Sequence, residues 1–212
     1  MRAVQKDPYQ ALRDFLFAPI RFSGISETSS FWRRFRLTSL EEERVNAVLP
    51  YIHGLLLDVG CGRNTLVRNY VQKGGQAIGV DVYDYGAGAL IVENSSKLPF
   101  PDRHFDTITF VASLNHIPYR ALSLKEAVRL LKDDGHVLIT MINPVIGFLV
   151  HKIYEYRARG LDFERGAKEG EVYGLWTSQV ITLAERVGLQ LLVHKRFDYA
   201  LNHLYLFAEK PR

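Results

Sequence analysis

Two aspartates and a pair of glycines stand where a nucleotide-like ligand would need them. Leu55-Leu56-Leu57-Asp58-Val59-Gly60-Cys61-Gly62 reads as a buried strand that ends in a carboxylate and turns through two glycines. Such a turn lets backbone approach a ligand where a side chain would collide. A second apolar run, Ala77-Ile78-Gly79-Val80, ends at Asp81, 21 residues after Gly60. A carboxylate at that distance suits the diol of a ribose. Together they predict a ligand that contains a nucleoside.

Charge separates the two natural candidates, a dinucleotide and S-adenosylmethionine. A dinucleotide turn needs a third glycine so that the pyrophosphate can sit on the helix N-terminus. Here that position is Thr65, after Arg63 and Asn64. Asp58 directly before the turn would repel a pyrophosphate but can hold an ammonium, directly or through water. S-adenosylmethionine has an ammonium on its amino-acid tail and no phosphate, so the charge logic favours it.

Residues 55–142 resemble the core of a class I S-adenosylmethionine-dependent methyltransferase of the small-molecule type, the group that includes the quinone-biosynthesis C-methyltransferases. The resemblance rests on LLLDVGCG at 55–62, GVDV at 79–82, KLPFPDRHFDTITF at 97–110, SLNHI at 113–117 and EAVRLLKDDGHVLIT at 126–140, in the family's order. It implies a Rossmann-like, mostly parallel seven-stranded sheet with its last strand reversed and helices on both faces. Three departures stand out. Asn64 replaces a usual glycine, and Asn is the next-best residue for a left-handed backbone. Only Tyr83 to Gly88 separate the second strand from Ala89-Leu90-Ile91-Val92, too few for a crossover helix. Asn94 stands where many relatives have an acidic adenine contact, and an amide can still meet that edge.

Ligands in such sheets bind beyond the carboxyl ends of the strands. That rule groups Asp58, Gly60, Cys61 and Gly62 around the amino-acid tail, with backbone groups of the turn left to bond it. It gives Asp81 the ribose, Val82 the adenine face, Asn94 and Ser95 the adenine edge, and adds Ser113 just past the fourth strand. Arg63 reads either as a carboxylate contact or as an idle surface arginine. Cys61 reads first as a small residue in a tight turn. Methyl transfer needs alignment and exclusion of water, and a base only if the acceptor must lose a proton. His116 is the positional candidate for that base, with a structural role as the competing reading. The motif of adenine-N6 DNA methyltransferases, a polar residue followed by Pro-Pro-aromatic, is absent here. That argues against nucleic acid as the acceptor.

Residues 143–176 exceed a normal connection, and long inserts are commonly functional. Tyr154, Tyr156, Tyr173 and Trp176 can wall an apolar or aromatic acceptor, or simply pack the insert onto the sheet; His151 is a second candidate base. The expected activity is methyl transfer to oxygen or carbon of a small molecule. RNA or protein methylation through a basic arm, and a non-catalytic binding module, are the alternatives. No metal is expected.

The elements that must position these groups follow from local signals. Ser39-Leu40-Glu41-Glu42 is a capping box opening a helix to about Ile52. Strands are expected at 55–59, 76–82, 105–111, 136–142, 189–197 and 201–208. Helices are expected at 65–73 and 122–132, and from a Thr177 cap to Val187. The 47% hydrophobic content is that of a globular chain. The single cysteine excludes an internal disulfide. No run approaches the length of a membrane span, and the start lacks a secretory h-region; a cytoplasmic enzyme is expected. Residues 1–37 hold seven basic and three acidic residues, a balance of +4 that equals the net charge of the whole chain. They also hold seven aromatics, from Tyr9 to Phe35. This arm, distinct from a domain at 38–212, reads as a helical lid, a peripheral membrane or anionic-surface contact, or a helix packed on the core.

Overall fold

The structure is a computed structural model that describes residues 38–157, 170–198 and 200–211, together with Leu16. The arm at 1–37 otherwise lies outside the described residues.

Ser39 opens α1 (Leu40–Val48) by the expected box: its hydroxyl accepts from Glu42 N at 3.0 Å, and Glu42 Oε2 accepts from Ser39 N at 2.9 Å. A 3-10 turn, Leu49–Tyr51, leads to β1 (Leu55–Val59). Then follow α2 (Thr65–Gln72), β2 (Gln76–Asp81), β3 (Leu90–Ile91) and β4 (Phe105–Val111). A second 3-10 turn at Leu114–His116 precedes α3 (Arg120–Leu130) and β5 (Leu131–Ile142). The chain continues through α4 (Pro144–Arg157), α5 (Thr177–Arg186), β6 (Leu189–Phe197) and β7 (Asn202–Glu209).

The sheet has seven strands in the order β3-β2-β1-β4-β5-β7-β6. Pairs β1–β2, β1–β4, β2–β3 and β4–β5 are parallel, and β7 runs antiparallel to both neighbours. The fold class is therefore the expected one. Period-two alternation divides the core between the faces. Leu57, Ile108, Ile139, Tyr205 and Phe207 pack with Leu124 and Ala127 of α3 and Val180 and Ala184 of α5. Leu56, Leu138, Leu204 and Leu206 pack with Val45 and Val48 of α1 and Leu66 of α2. The order of strands reverses direction between β1 and β4, which places a crevice at their carboxyl ends.

Two local expectations need correction. The fifth strand starts at Leu131 rather than 136, and its register with β4 slips between Phe105 and Thr107. Gly135 sits in that slip against the Asp106 carbonyl, where a Cβ would approach to 3.0 Å. The cap of α5 is Trp176, not Thr177: Gln179 Oε1 accepts from Trp176 N at 2.8 Å. Thr177 is the first helical residue, and its hydroxyl meets Tyr205 Oη at 2.9 Å. The insert opens with a helix, Pro144–Arg157. Pro144 supplies the preset φ of a first helical position, and Asn143 Oδ1 accepts from Val145 N at 2.9 Å. Among the described residues, no helix is long and apolar enough to cross a membrane, and no three His, Cys, Asp or Glu groups converge as a metal site.

Candidate active site

The residues that could do chemistry meet at the carboxyl ends of β1, β2 and β4. Asp58, one residue before the end of β1, is 2% exposed. Thr109, its register partner on β4, donates to Asp58 Oδ1 at 2.6 Å. Burial raises the Asp58 carboxyl to about pH 7; the Thr109 bond opposes this and the nearby Asp81 charge adds to it.

The turn that follows is held from within. Gly60 N and Cys61 N both donate to Val80 O, at 2.9 and 3.1 Å. Gly62 N donates to Asp81 Oδ2 at 2.8 Å. These donors are therefore not left for a ligand, contrary to the sequence-based expectation. What the turn offers is close approach. Gly62 has φ +51°, and a Cβ there would meet no atom within 4 Å. Gly60, at φ +72°, faces inward, and its Cβ would lie 2.5 Å from Ser113 Cβ. Cys61 is a buried filler, and burial pushes its thiol up to about 12, helped by Asp58 and Asp81.

Asp81 ends β2 half-buried, and its Oδ1 accepts from Tyr83 N at 3.1 Å. Each carboxylate oxygen has a further lone pair for a ribose hydroxyl. Val82, 63% exposed, lies beside it as an open apolar surface. Arg63 is exposed.

Asn94, Ser95 and Ser113 are engaged elsewhere. Asn94 Oδ1 accepts from both Ser96 N and Ser96 Oγ, at 3.0 and 2.6 Å, which is ordinary turn chemistry. Ser95 Oγ meets Ser123 Oγ on α3 at 2.7 Å. Ser113 is buried, and its hydroxyl donates to Val59 O at 2.6 Å. That bond braces the end of β4 against the end of β1.

Asn64 adopts the left-handed conformation expected of it, at φ 60°. Its Nδ2 donates to Ala87 O at 3.2 Å, tying the head of α2 to the loop between β2 and β3. As expected, that loop holds no helix. The amide also packs on Gly79, where a Cβ would collide with it.

His116 ends the 3-10 turn after β4, 39% exposed. Its Nδ1 is 3.3 Å from Oε2 of Glu171, a residue the sequence does not mark, because nothing local pairs it with a group 55 positions away. Ala112 in the same loop is a non-glycine residue at φ +52°, with its N–H donating to Thr140 Oγ1 at 2.9 Å. The side chains of His151, Tyr154 and Tyr156 lie outside the described residues. Tyr173 packs edge-on against Phe148 of α4, with ring centroids 5.4 Å apart, so it secures the insert to itself. Trp176 is half exposed.

The arrangement fits S-adenosylmethionine better than a dinucleotide. A buried carboxylate before the turn favours a cation, and the open Gly62 permits close approach. Comparisons with known proteins agree. Residues 57–139 match the family described as Methyltransferase domain. The chain is similar to the ubiquinone/menaquinone biosynthesis C-methyltransferase UbiE of Bartonella henselae, 29% identical over 121 residues, 57% of this chain and 41% of that one. The enzyme of the same name from Laribacter hongkongensis is 26% identical over 136 residues, 56% of each chain. The chain thus spans about half the length of the curated relatives it matches. Among solved structures, a Burkholderia thailandensis 1,6-didemethyltoxoflavin-N1-methyltransferase with bound S-adenosylhomocysteine superposes with a TM-score of 0.60 at 14% identity, covering 100% of this chain and 94% of that one. A putative methyltransferase of Haloferax volcanii, in complex with the Trm112 methyltransferase activator, gives 0.63 at 13% identity, covering 98% and 100%. At such identities these structures establish the fold.

Proposed function

We propose that this chain, whose residues 57–139 match a methyltransferase domain, transfers a methyl group from S-adenosylmethionine to a small apolar or aromatic molecule, at carbon or oxygen. The observation that carries the reading is the bond from Gly62 N to Asp81 Oδ2. It fixes the glycine turn and the carboxylate at the end of β2 as one unit, and among the described residues nothing crowds Gly62 on its Cα side. Asp81 would hold the ribose, Val82 would underlie the adenine, and Asp58 would balance the ammonium of the amino-acid tail. When bound, the cofactor supplies a methyl group already activated on a sulfonium. The chain's task is then to align an acceptor and exclude water. The acceptor would be met beside the loop carrying His116. The C-methyltransferase names of the relatives support carbon as the acceptor atom.

The test is calorimetric titration of S-adenosylhomocysteine into wild type and Asp81→Ala. Hydrogen bonds to a charged group contribute about 1.5–3 kcal/mol each, so the variant should bind at least tenfold more weakly. Equal binding would remove Asp81 from the site. No binding to wild type would overturn the enzymatic reading.

A further inference from the structure

We infer that Glu171 is the positioning residue of a His116–Glu171 dyad, which sets His116 to take a proton from the acceptor through Nε2. The inference rests on the methyltransferase reading and adds to it a residue on the far side of the insert.

The geometry is specific. Glu171 Oε2 lies 3.3 Å from His116 Nδ1, and the Glu171 side chain is only 12% exposed. A carboxylate can only accept, so Nδ1 carries the hydrogen. The hydrogen bond made by one ring nitrogen decides the state of the other, so the proton-accepting lone pair is on Nε2.

The pairing is not incidental contact between two loops. Val172 N donates to Asn115 O at 3.0 Å, and Asn115 Nδ2 returns a bond to Val172 O at 3.2 Å. Arg120 Nη2 donates to both Asn115 O and Gly170 O, at 2.9 and 2.6 Å. Three bonds therefore hold residues 170–172, two to Asn115 in the loop that follows β4 and one to Arg120 at the start of α3, with Glu171 between them. Arg120 also interacts electrostatically with Glu171.

In the reaction, an electron pair of the acceptor forms the new bond to the methyl carbon. The carbon–sulfur bond breaks, and its pair stays on sulfur as a thioether. The proton lost by the acceptor carbon or oxygen moves to His116 Nε2. Glu171 stabilises the resulting imidazolium across Nδ1–H.

The experiment reads the ring itself and needs neither acceptor nor turnover. Imidazole nitrogen spectra of ¹⁵N-labelled wild type, assigned with His116→Gln, should show the Nδ1–H tautomer for neutral His116. Glu171→Ala should shift it to the Nε2–H form favoured in water. Glu171→Gln, whose amide oxygen still accepts, should keep the Nδ1–H form and serves as the second variant if Glu171→Ala misfolds. A wild-type ring in the Nε2–H form, or one unchanged by Glu171→Ala in a folded protein, would overturn the dyad. Binding of S-adenosylhomocysteine to the same samples separates this failure from failure of the methyltransferase reading.

Discussion

Asp58 and Thr109 face each other across the β1–β4 pair, and the 2.6 Å bond from the Thr109 hydroxyl is the one polar contact that this buried carboxyl makes among the described residues. One hydroxyl is too little to offset the burial of a charge. The folded protein consequently retains a proton on Asp58 up to about pH 7, whereas the unfolded chain loses it near 4. Between those values the native state binds more protons, so stability falls as pH rises through this window. Urea unfolding at pH 5 and pH 8 should show a larger loss for wild type than for Asp58→Asn, and Asp58→Asn should be the more stable of the two at pH 8. Parallel pH dependence in the two proteins would rule out this account.

The same proton reports on the cofactor. A cation placed beside Asp58 favours its ionised form. Binding of S-adenosylhomocysteine at pH 6.5 should therefore release a proton. Titrations in buffers of different ionisation enthalpy should give different apparent heats, and Asp58→Asn should abolish the difference while weakening binding. Buffer-independent heats in wild type would place the ammonium elsewhere.

Gly60 and Gly62 divide their duties. Gly60→Ala meets Ser113 Cβ at 2.5 Å in addition to its positive φ, and should cost more stability than the ~1–2 kcal/mol of a left-handed alanine alone. Gly62→Ala carries only the backbone cost, because its surroundings are open. Its loss of cofactor affinity should nonetheless exceed that of any equally destabilised variant remote from the site. Thermal unfolding and calorimetry on both proteins check the contrast, and similar affinity losses at matched stability would contradict it.

Cys61 should be inert. With its thiol held near 12 and its side chain buried, the reactive thiolate is scarce at neutral pH. Labelling by a disulfide reagent at pH 8 should run far slower than for a cysteine in the unfolded chain. Equally rapid labelling of the native protein would show that the turn opens readily.

Local patterns made much of this molecule readable from its residues. Ser39 and Glu42 cap α1 because a capping box needs only four residues, and Asp58 and Asp81 fall at or next to the ends of their strands because apolar runs mark strands directly. Asn64 was legible as a left-handed residue, but its bond to Ala87 was not, since that partner lies across the fold. The same limit hid Glu171 from His116 and the engagement of Ser95 with Ser123. Helix α4 went unrecognised although Asn143-Pro144 is a start signal, because apolar residues throughout Val145 to Val150 obscure helical periodicity. The cap at Trp176 was missed because Gln179 supplies the bond in place of the cap residue's own side chain.

The departures at Asn64 and at the short β2–β3 loop are linked by one hydrogen bond. Asn64→Gly would keep the backbone conformation and remove the tie to Ala87. Amide exchange should then accelerate across residues 83–88 while β2 remains protected. Unchanged exchange there would mean that the loop holds itself.

The position of β7 also governs assembly during synthesis. Because β7 lies between β5 and β6, the growing sheet cannot extend in the order in which its strands are made. β6 has no place until β7 has been translated, so β5 keeps an open edge in the meantime. Such an edge is a template for unwanted pairing, and the nascent chain carries it until β7 is made.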